Sequence, residues 1–167
     1  MADVPEPTVD PRAFRDVLGR FPSGVVAVTA AHAEGPVGLT CQAFTSLSLD
    51  PPLVLFCPAR TSRSWPRIAE TGRFAVNLLA ADQRGVAEAM ATGGADKFAV
   101  GTWTPGPATG SPVLADALGH VECRVETVHD GGDHHVVVGR VLALRGAAEH
   151  HPGPALLYHR GRYQEID

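Results

Sequence analysis

Runs of lysine or arginine are missing from this sequence. Fourteen basic residues are scattered among eighteen acidic ones, for a net charge of −4. The concentrated positive field that holds a nucleic-acid backbone or an anionic bilayer is therefore lacking, and neither partner is expected. No stretch approaches the run of about 18 apolar residues that spans a membrane. Residues 1–11 are acidic and proline-rich, without the basic start and apolar middle of an export signal. A cytoplasmic protein is expected, with residues 1–10 as a flexible N-terminal segment. Cysteine is scarce as well: Cys41, Cys57 and Cys123 are odd in number and far apart, which fits neither a disulfide framework nor a zinc knuckle. They read as small buried hydrophobes. The histidines include the adjacent pairs His134-His135 and His150-His151 but no HExxH spacing, so no metal site is expected.

What is present is a chain of 167 residues, 44% hydrophobic, broken by 18 glycines and 14 prolines. That length suits one domain over residues 11–167. Asp10-Pro11 is an N-cap and first-turn pair, and Phe14, Val17, Leu18 and Phe21 recur at helical spacing. Residues 24–31, 37–44 and 53–57 read as strands set off by Gly-Pro and Pro-Pro breaks. Thr61 or Ser62 can cap a helix that runs to Thr71 and ends at Gly72, with Pro66 tolerated in its first turn. A strand over 73–79 and a helix over 82–90 follow. Residues 93–112, rich in glycine and proline, read as one long loop, and long loops in compact domains tend to be functional.

From His120 the pattern alternates strictly. Val121, Cys123 and Val125 take one side, and Glu122, Arg124 and Glu126 the other, which predicts a strand with one wet face. Asp130-Gly131-Gly132-Asp133 makes the turn, and residues 135–144 read as a strand buried on both sides. Residues 156–158 and 162–166 suggest a last hairpin around Gly161. Strands outnumber helices and short turns join them, so the expected class is mainly β: a small antiparallel barrel with peripheral helices. No strand–helix unit carries a Gly-rich phosphate loop.

Two polar clusters stand out. Residues 40–52 line up small hydroxyls and backbone amides at a strand end, which suits a flat heteroaromatic ring with carbonyl and N–H edges. Ordinary strand and turn chemistry is the alternative. Arg60-Thr61-Ser62-Arg63-Ser64-Trp65 combines cations and hydroxyls with a helix start, and so suits a phosphate. Simple capping explains its hydroxyls but not its arginines.

The same segments, in the same order, resemble the signature of the flavin reductase-like family, which includes the reductase components of two-component flavin monooxygenases. The most specific match is Thr-x-x-Ala-Phe-x-Ser-x-Ser-Leu-Asp-Pro-Pro over 40–52. Phe21-Pro22-Ser23-Gly24-Val25 precedes it. Phe74-Ala75-Val76-Asn77-Leu78-Leu79, Asp82-Gln83, Asp96-Lys97-Phe98, Gly110-Ser111-Pro112, Gly132-Asp133-His134 and a closing segment over 156–163 follow. Departures are Ser23 where threonine is more usual, Gly119-His120 where Ala-Trp is frequent, and the extra His135.

The resemblance implies a split β-barrel of the FMN-binding type, a homodimer, and hydride transfer from NADH or NADPH to FMN or FAD. Reduced flavin would then leave for a separate monooxygenase, so its affinity is expected to be modest, of order micromolar. By matching position, Thr40, Cys41, Gln42, Ala43, Ser46 and Ser48 would contact the flavin ring and ribityl chain. Arg60, Thr61, Ser62 and Ser64 would hold the phosphate; on the long loop Lys97 could add charge for it, a solvated lysine being the alternative, and Phe98 could pack on the ring. His134 would position the nicotinamide rather than relay a proton, because hydride transfer between stacked rings needs none. Pro22, Ser23, Arg160 and Tyr163 would touch the dinucleotide or the partner chain. The rival expectations are a tight-flavin split-barrel oxidase or reductase acting on another small molecule, and a non-enzymatic flavin carrier.

Overall fold

The computed structural model describes residues 8–94, 96–146 and 153–164. The chain runs α1 (Pro11–Leu18), β1 (Ser23–Gly24), β2 (Val26–His32), β3 (Gly35–Cys41), β4 (Phe44–Leu49), β5 (Pro52–Phe56), α2 (Ser64–Thr71) and β6 (Arg73–Leu78). A 3₁₀ turn over Ala81–Gln83 leads into α3 (Arg84–Ala91). Then come β7 (Trp103–Pro105), β8 (Pro112–Leu114), β9 (Gly119–Gly131), β10 (His134–Gly146), β11 (Leu157–His159) and β12 (Arg162–Gln164). Seven strands form one sheet in the order β3-β2-β6-β9-β10-β5-β4, every neighbouring pair antiparallel.

Two residues dictate the shape of that sheet. Its edge strands, β3 and β4, are joined only by Gln42 and Ala43. Laid flat, seven strands would hold their edges about 29 Å apart, whereas the link from Cys41 to Phe44 reaches about 10 Å. The sheet must curl until its edges meet at that corner, which is the mainly β, antiparallel split barrel expected from the sequence. The corner is pinned by Cys57, whose N–H donates to the Ala43 carbonyl at 3.0 Å.

The curl gives β2 two buried faces. Val26, Val28 and Ala30 point into a core with Phe56, Phe74, Val137 and, from α2, Trp65 and Ile68. Ala27 joins a second core with Val86, Ala87 and Met90 of α3, Leu79, Leu114 and Leu156. Fully buried Asn77 ties the β7–β8 hairpin to this face: it donates to the Ala27 carbonyl and Thr29 Oγ1, and accepts the Leu114 N–H at 2.8 Å. Gly139 sits at a bulge where a Cβ would lie 2.5 Å from the Phe74 ring, so β10 crosses the core only with glycine there.

The local signals at the helix ends hold. Asp10 accepts the Ala13 N–H at 3.0 Å, and Gly72 ends α2 with φ of 65°. Pro66 falls in the first turn of α2, where its missing N–H costs nothing, and Ser62 Oγ accepts the Trp65 N–H at 3.2 Å. Three expectations need correction. The loop over 93–112 encloses β7 and leads into β8, elements of three residues whose few side chains leave no readable period. Glu122 is not on a wet face but fully buried, because the loop carrying Ala108 and Thr109 closes over it. The strand over 135–144 is buried only around Val137 to Gly139, and its far end leaves Leu142 and Leu144 exposed. The apolar residues of α1 and its exit, Phe14, Val17, Leu18 and Phe21, are exposed too. Residues 1–7, the His150-His151 pair and Ile166 lie outside the described residues. Among those described, no helix is long and apolar enough to cross a membrane.

Candidate active site

The corner where the sheet edges meet opens into a cavity of about 620 Å³. One wall is the β3–β4 link, Thr40 to Ala43; the next is Cys57, Pro58 and Ala59, which leave β5. Thr61, Ser62, Arg63 and Ser64 approach it at the start of α2. Met90, Ala91 and Gly93 approach from the end of α3, and Lys97 and His134 complete the lining. Sequence segments 40–43, 61–64, 97 and 134 thus come together as expected, although as many as 94 positions separate them.

Within the cavity the hydroxyls are largely occupied. Thr40 Oγ1 donates to the Ala87 carbonyl, and Ser62 Oγ caps Trp65. Lys97 is neither solvated nor idle. Its ammonium donates to the carbonyls of Gly38 (2.9 Å) and Met90 (2.7 Å) and lies 3.3 Å from Ser64 Oγ. It therefore laces β3, α3 and α2 into one wall. All these partners are neutral, no carboxylate pairs with Lys97 among the described residues, and burial holds its pKa below the ordinary lysine value. Beside it, exposed Arg63 forms no ion pair among the described residues, and the first N–H groups of α2 have no partner within the helix. Cys41 is buried, with its thiol against the carbonyls of Ala43 and Cys57, and burial raises the pKa values of both Cys41 and Cys57.

His134 opens β10 directly after a turn whose first central residue, Gly132, has φ of 77°. This is the left-handed position that glycine fills in a type II′ hairpin. The ring is about half exposed, and its Nδ1 lies 2.7 Å from Asp133 Oδ1; that contact holds the Asp133 carboxyl below its usual range.

Several expected contributors lie elsewhere. The Arg60 guanidinium is committed to the Asp130–Asp133 turn, through Asp130 and the Gly132 carbonyl, and does not line the cavity. Phe98 turns away from its neighbour Lys97 and packs edge-on against Trp103, 5.1 Å between centroids, beside a separate hollow of about 460 Å³. Ser46 and Ser48 sit on β4 outside the cavity lining. Pro22 precedes the small β1-β11-β12 sheet, on which Ser23 and Tyr163 lie. Arg160, with φ of 51°, turns that sheet's outer hairpin, and the Tyr163 ring is covered by Arg84. None of these four lines the cavity. Arg63, named in the phosphate cluster, does line it, and Cys57 and the end of α3 line it without having been singled out. The cluster around residue 60 gave a signal for Arg63, but sequence alone did not say which arginine of the pair faces inward.

The flavin reductase-like domain matches residues 18–167 of this chain. The chain belongs to the flavin reductase-like family. This reductase is 48% identical, over 95% of its own length and 80% of the relative's, to the flavin-dependent monooxygenase reductase subunit HsaB of Rhodococcus jostii. Its structure superposes with a TM-score of 0.88 on nitrilotriacetate monooxygenase component B from Mycobacterium thermoresistibile, at 48% identity and covering 93% of this chain and 86% of that one. The NADH:FAD oxidoreductase SgcE6 of Streptomyces globisporus, solved with NAD and FAD fragments, matches with a TM-score of 0.87 at 34% identity, covering 96% and 97% of the two chains.

The residues of the cavity fit the flavin that the family implies. Its volume lies within the range of about 300–1,000 Å³ usual for small-molecule sites. Lys97, a cation without a counter-ion among the described residues, and the exposed cation Arg63 line the cavity at the start of α2, where an anion would meet both. The β3–β4 link offers main-chain groups at an exposed edge, as a ring with polar edges requires.

Proposed function

We propose that this reductase binds FMN or FAD in the corner cavity, takes hydride from a reduced nicotinamide, with NADH the favoured donor, and releases reduced flavin to a separate monooxygenase in the cytoplasm. The observation that carries the assignment is Lys97, a partly buried cation whose partners are all neutral. An anionic phosphate would be its first counter-charge. Thr61, Ser62, Arg63 and Ser64 would hold that phosphate with it. The main chain of Thr40, Cys41, Gln42 and Ala43 would hold the ring edge. Bound flavin supplies the two-electron acceptor, so the protein has only to bind, orient and exclude water. The SgcE6 relative, named for NADH and FAD, supports this donor and flavin class.

His134 serves the donor. Asp133 takes its Nδ1, which leaves Nε2 for the incoming dinucleotide. Replacing His134 by Ala is expected to raise KM for NADH about tenfold and to leave kcat within about threefold, the signature of lost binding rather than lost chemistry. Steady-state NADH oxidation with saturating FMN measures both. A collapse of kcat at unchanged KM would instead make His134 a proton donor.

Cysteine labelling tests the cavity without turnover. Cys123 is fully buried and its pKa is pushed up to about 12 by burial and by Glu122, so it should stay silent. Cys57, half-exposed in the cavity wall, is expected to be the thiol that alkylates, and added FMN should slow it severalfold. Equal labelling with and without FMN would place the flavin elsewhere.

Residues 11–167 act as one domain in this reading, and the working unit is a homodimer. The exposed apolar side chains support that assembly: Leu49 is 96% exposed, Phe21 79% and Leu144 71%. A second copy is the simplest cover for them.

A further inference from the structure

Arg60 and Asp130 stand 70 positions apart in the chain, yet their side chains meet at the tip of the β9–β10 hairpin. Pairing between β5 and β10 covers only Val137 to Arg140. Beyond it the hairpin tip that carries His134 is exposed and would fray. Two main-chain hydrogen bonds retain it, the His135 N–H on the Pro58 carbonyl and the Arg60 N–H on the Asp133 carbonyl, both at 2.9 Å, and together they make the antiparallel bridge between Ala59 and His134. The Arg60 guanidinium adds a fork over the turn. Nε donates to the Gly132 carbonyl at 2.6 Å, and Nη2 reaches Asp130 Oδ1, which also accepts the Gly132 N–H at 3.2 Å.

We propose that Arg60 and Asp130 form a positioning clamp, which ties the segment leading into the cation-bearing wall of the cavity to the turn that carries His134 and so sets where His134 meets the hydride donor. The clamp rests on the reading of His134 given above; neither residue of the pair touches the cavity. An isolated surface ion pair contributes little, but this guanidinium spends one nitrogen on a main-chain carbonyl of the turn itself. That fork needs arginine. The ammonium of a lysine is a point charge that cannot span both acceptors.

The test uses the full chain as Arg60→Ala, Asp130→Ala and Arg60→Lys, with two readouts. Amide hydrogen exchange of His135, followed by NMR without flavin or nicotinamide, reads the tip directly. In both alanine variants it is expected to speed up about tenfold, and in Arg60→Lys by a lesser factor. KM for NADH is expected to rise about fivefold in the alanine variants, with the FMN dissociation constant within about twofold of the parent. In an Arg60→Ala, His134→Ala double variant the two effects on KM should fail to multiply.

Unchanged His135 exchange would overturn the clamp. A weakened FMN constant at unchanged KM would overturn it as well, and would return Arg60 to the phosphate. Faster exchange with KM unmoved, while His134→Ala still raises KM, would overturn its link to the donor. If His134→Ala also left KM unmoved, faster exchange would uphold the clamp and the failure would be that of His134 as a donor contact.

Discussion

Replacing Glu122 by Ala is expected to destabilise the protein by about 3 kcal/mol, lowering Tm by roughly 6–12 °C for a chain of this size. Glu122 is fully buried, and one carboxylate oxygen, Oε2, accepts three hydrogen bonds: Ala108 N–H at 3.0 Å, Thr109 N–H at 2.7 Å and Thr109 Oγ1 at 2.8 Å. Its other oxygen is buried without a partner. The loop above is fitted to this carboxylate so closely that a Cβ at Gly106 would lie 2.5 Å from Oε2. Truncation would orphan three donors and open a void beneath them. Ala108 and Thr109 are only half-buried, so water can recover part of the loss.

Glu122→Gln separates charge from hydrogen bonding. Its carbonyl oxygen can accept the same three donors, and removing the uncompensated charge from the core offsets the cost of an NH2 placed where the other oxygen has no partner. We expect Gln to match the parent within about 1 kcal/mol, measured by urea unfolding with tryptophan fluorescence. If Gln costs as much as Ala, the buried charge itself holds the loop. Flavin-dependent turnover of either variant at low temperature should be close to the parent's, because Glu122 lies outside the cavity lining.

Glu122 also shows where the sequence stops being legible. Alternation along β9 tells which side of the strand each residue takes, and that reading was correct. It does not tell what lies above that side, and here a loop from 13 to 14 positions earlier in the chain covers it. Features that depend on neighbouring residues were readable: the Asp10 cap, Pro66 in a first turn, Gly72 at a helix end and a glycine turn near 130–133, although its loop is Gly132-Asp133, one position later than the Asp130–Asp133 run suggests. The barrel class was legible from the many short strands and the ordered family motifs. The site was legible as segments but not as side-chain directions. Arg60 and Arg63 are three positions apart in one polar run, yet Arg60 turns to the hairpin tip and Arg63 lines the cavity. Lys97 and Phe98 are adjacent and diverge into different hollows. Such choices are made by partners distant in the chain, which no local pattern records.

Lys97→Met is expected to weaken FMN binding about 10- to 100-fold, the loss of a charge-assisted phosphate contact of about 1.4–2.7 kcal/mol. Methionine keeps much of the aliphatic stem and removes only the ammonium. Two effects then need to be told apart. The first is electrostatic: the cavity loses the cation that no carboxylate among the described residues balances. The second is architectural: the carbonyls of Gly38 and Met90 and the Ser64 hydroxyl lose the donor that draws them together, which should cost about 1–2 kcal/mol of stability. Riboflavin, which has the ring and ribityl chain without phosphate, divides the two. If Lys97 faces the phosphate, the parent prefers FMN to riboflavin, and the variant loses that preference while its riboflavin affinity changes little. If Lys97 only builds the wall, both ligands weaken by the same factor and the preference survives. Fluorescence titration of the two flavins against parent and variant reads the difference, and equal weakening would move the phosphate contact to Arg63 and the start of α2.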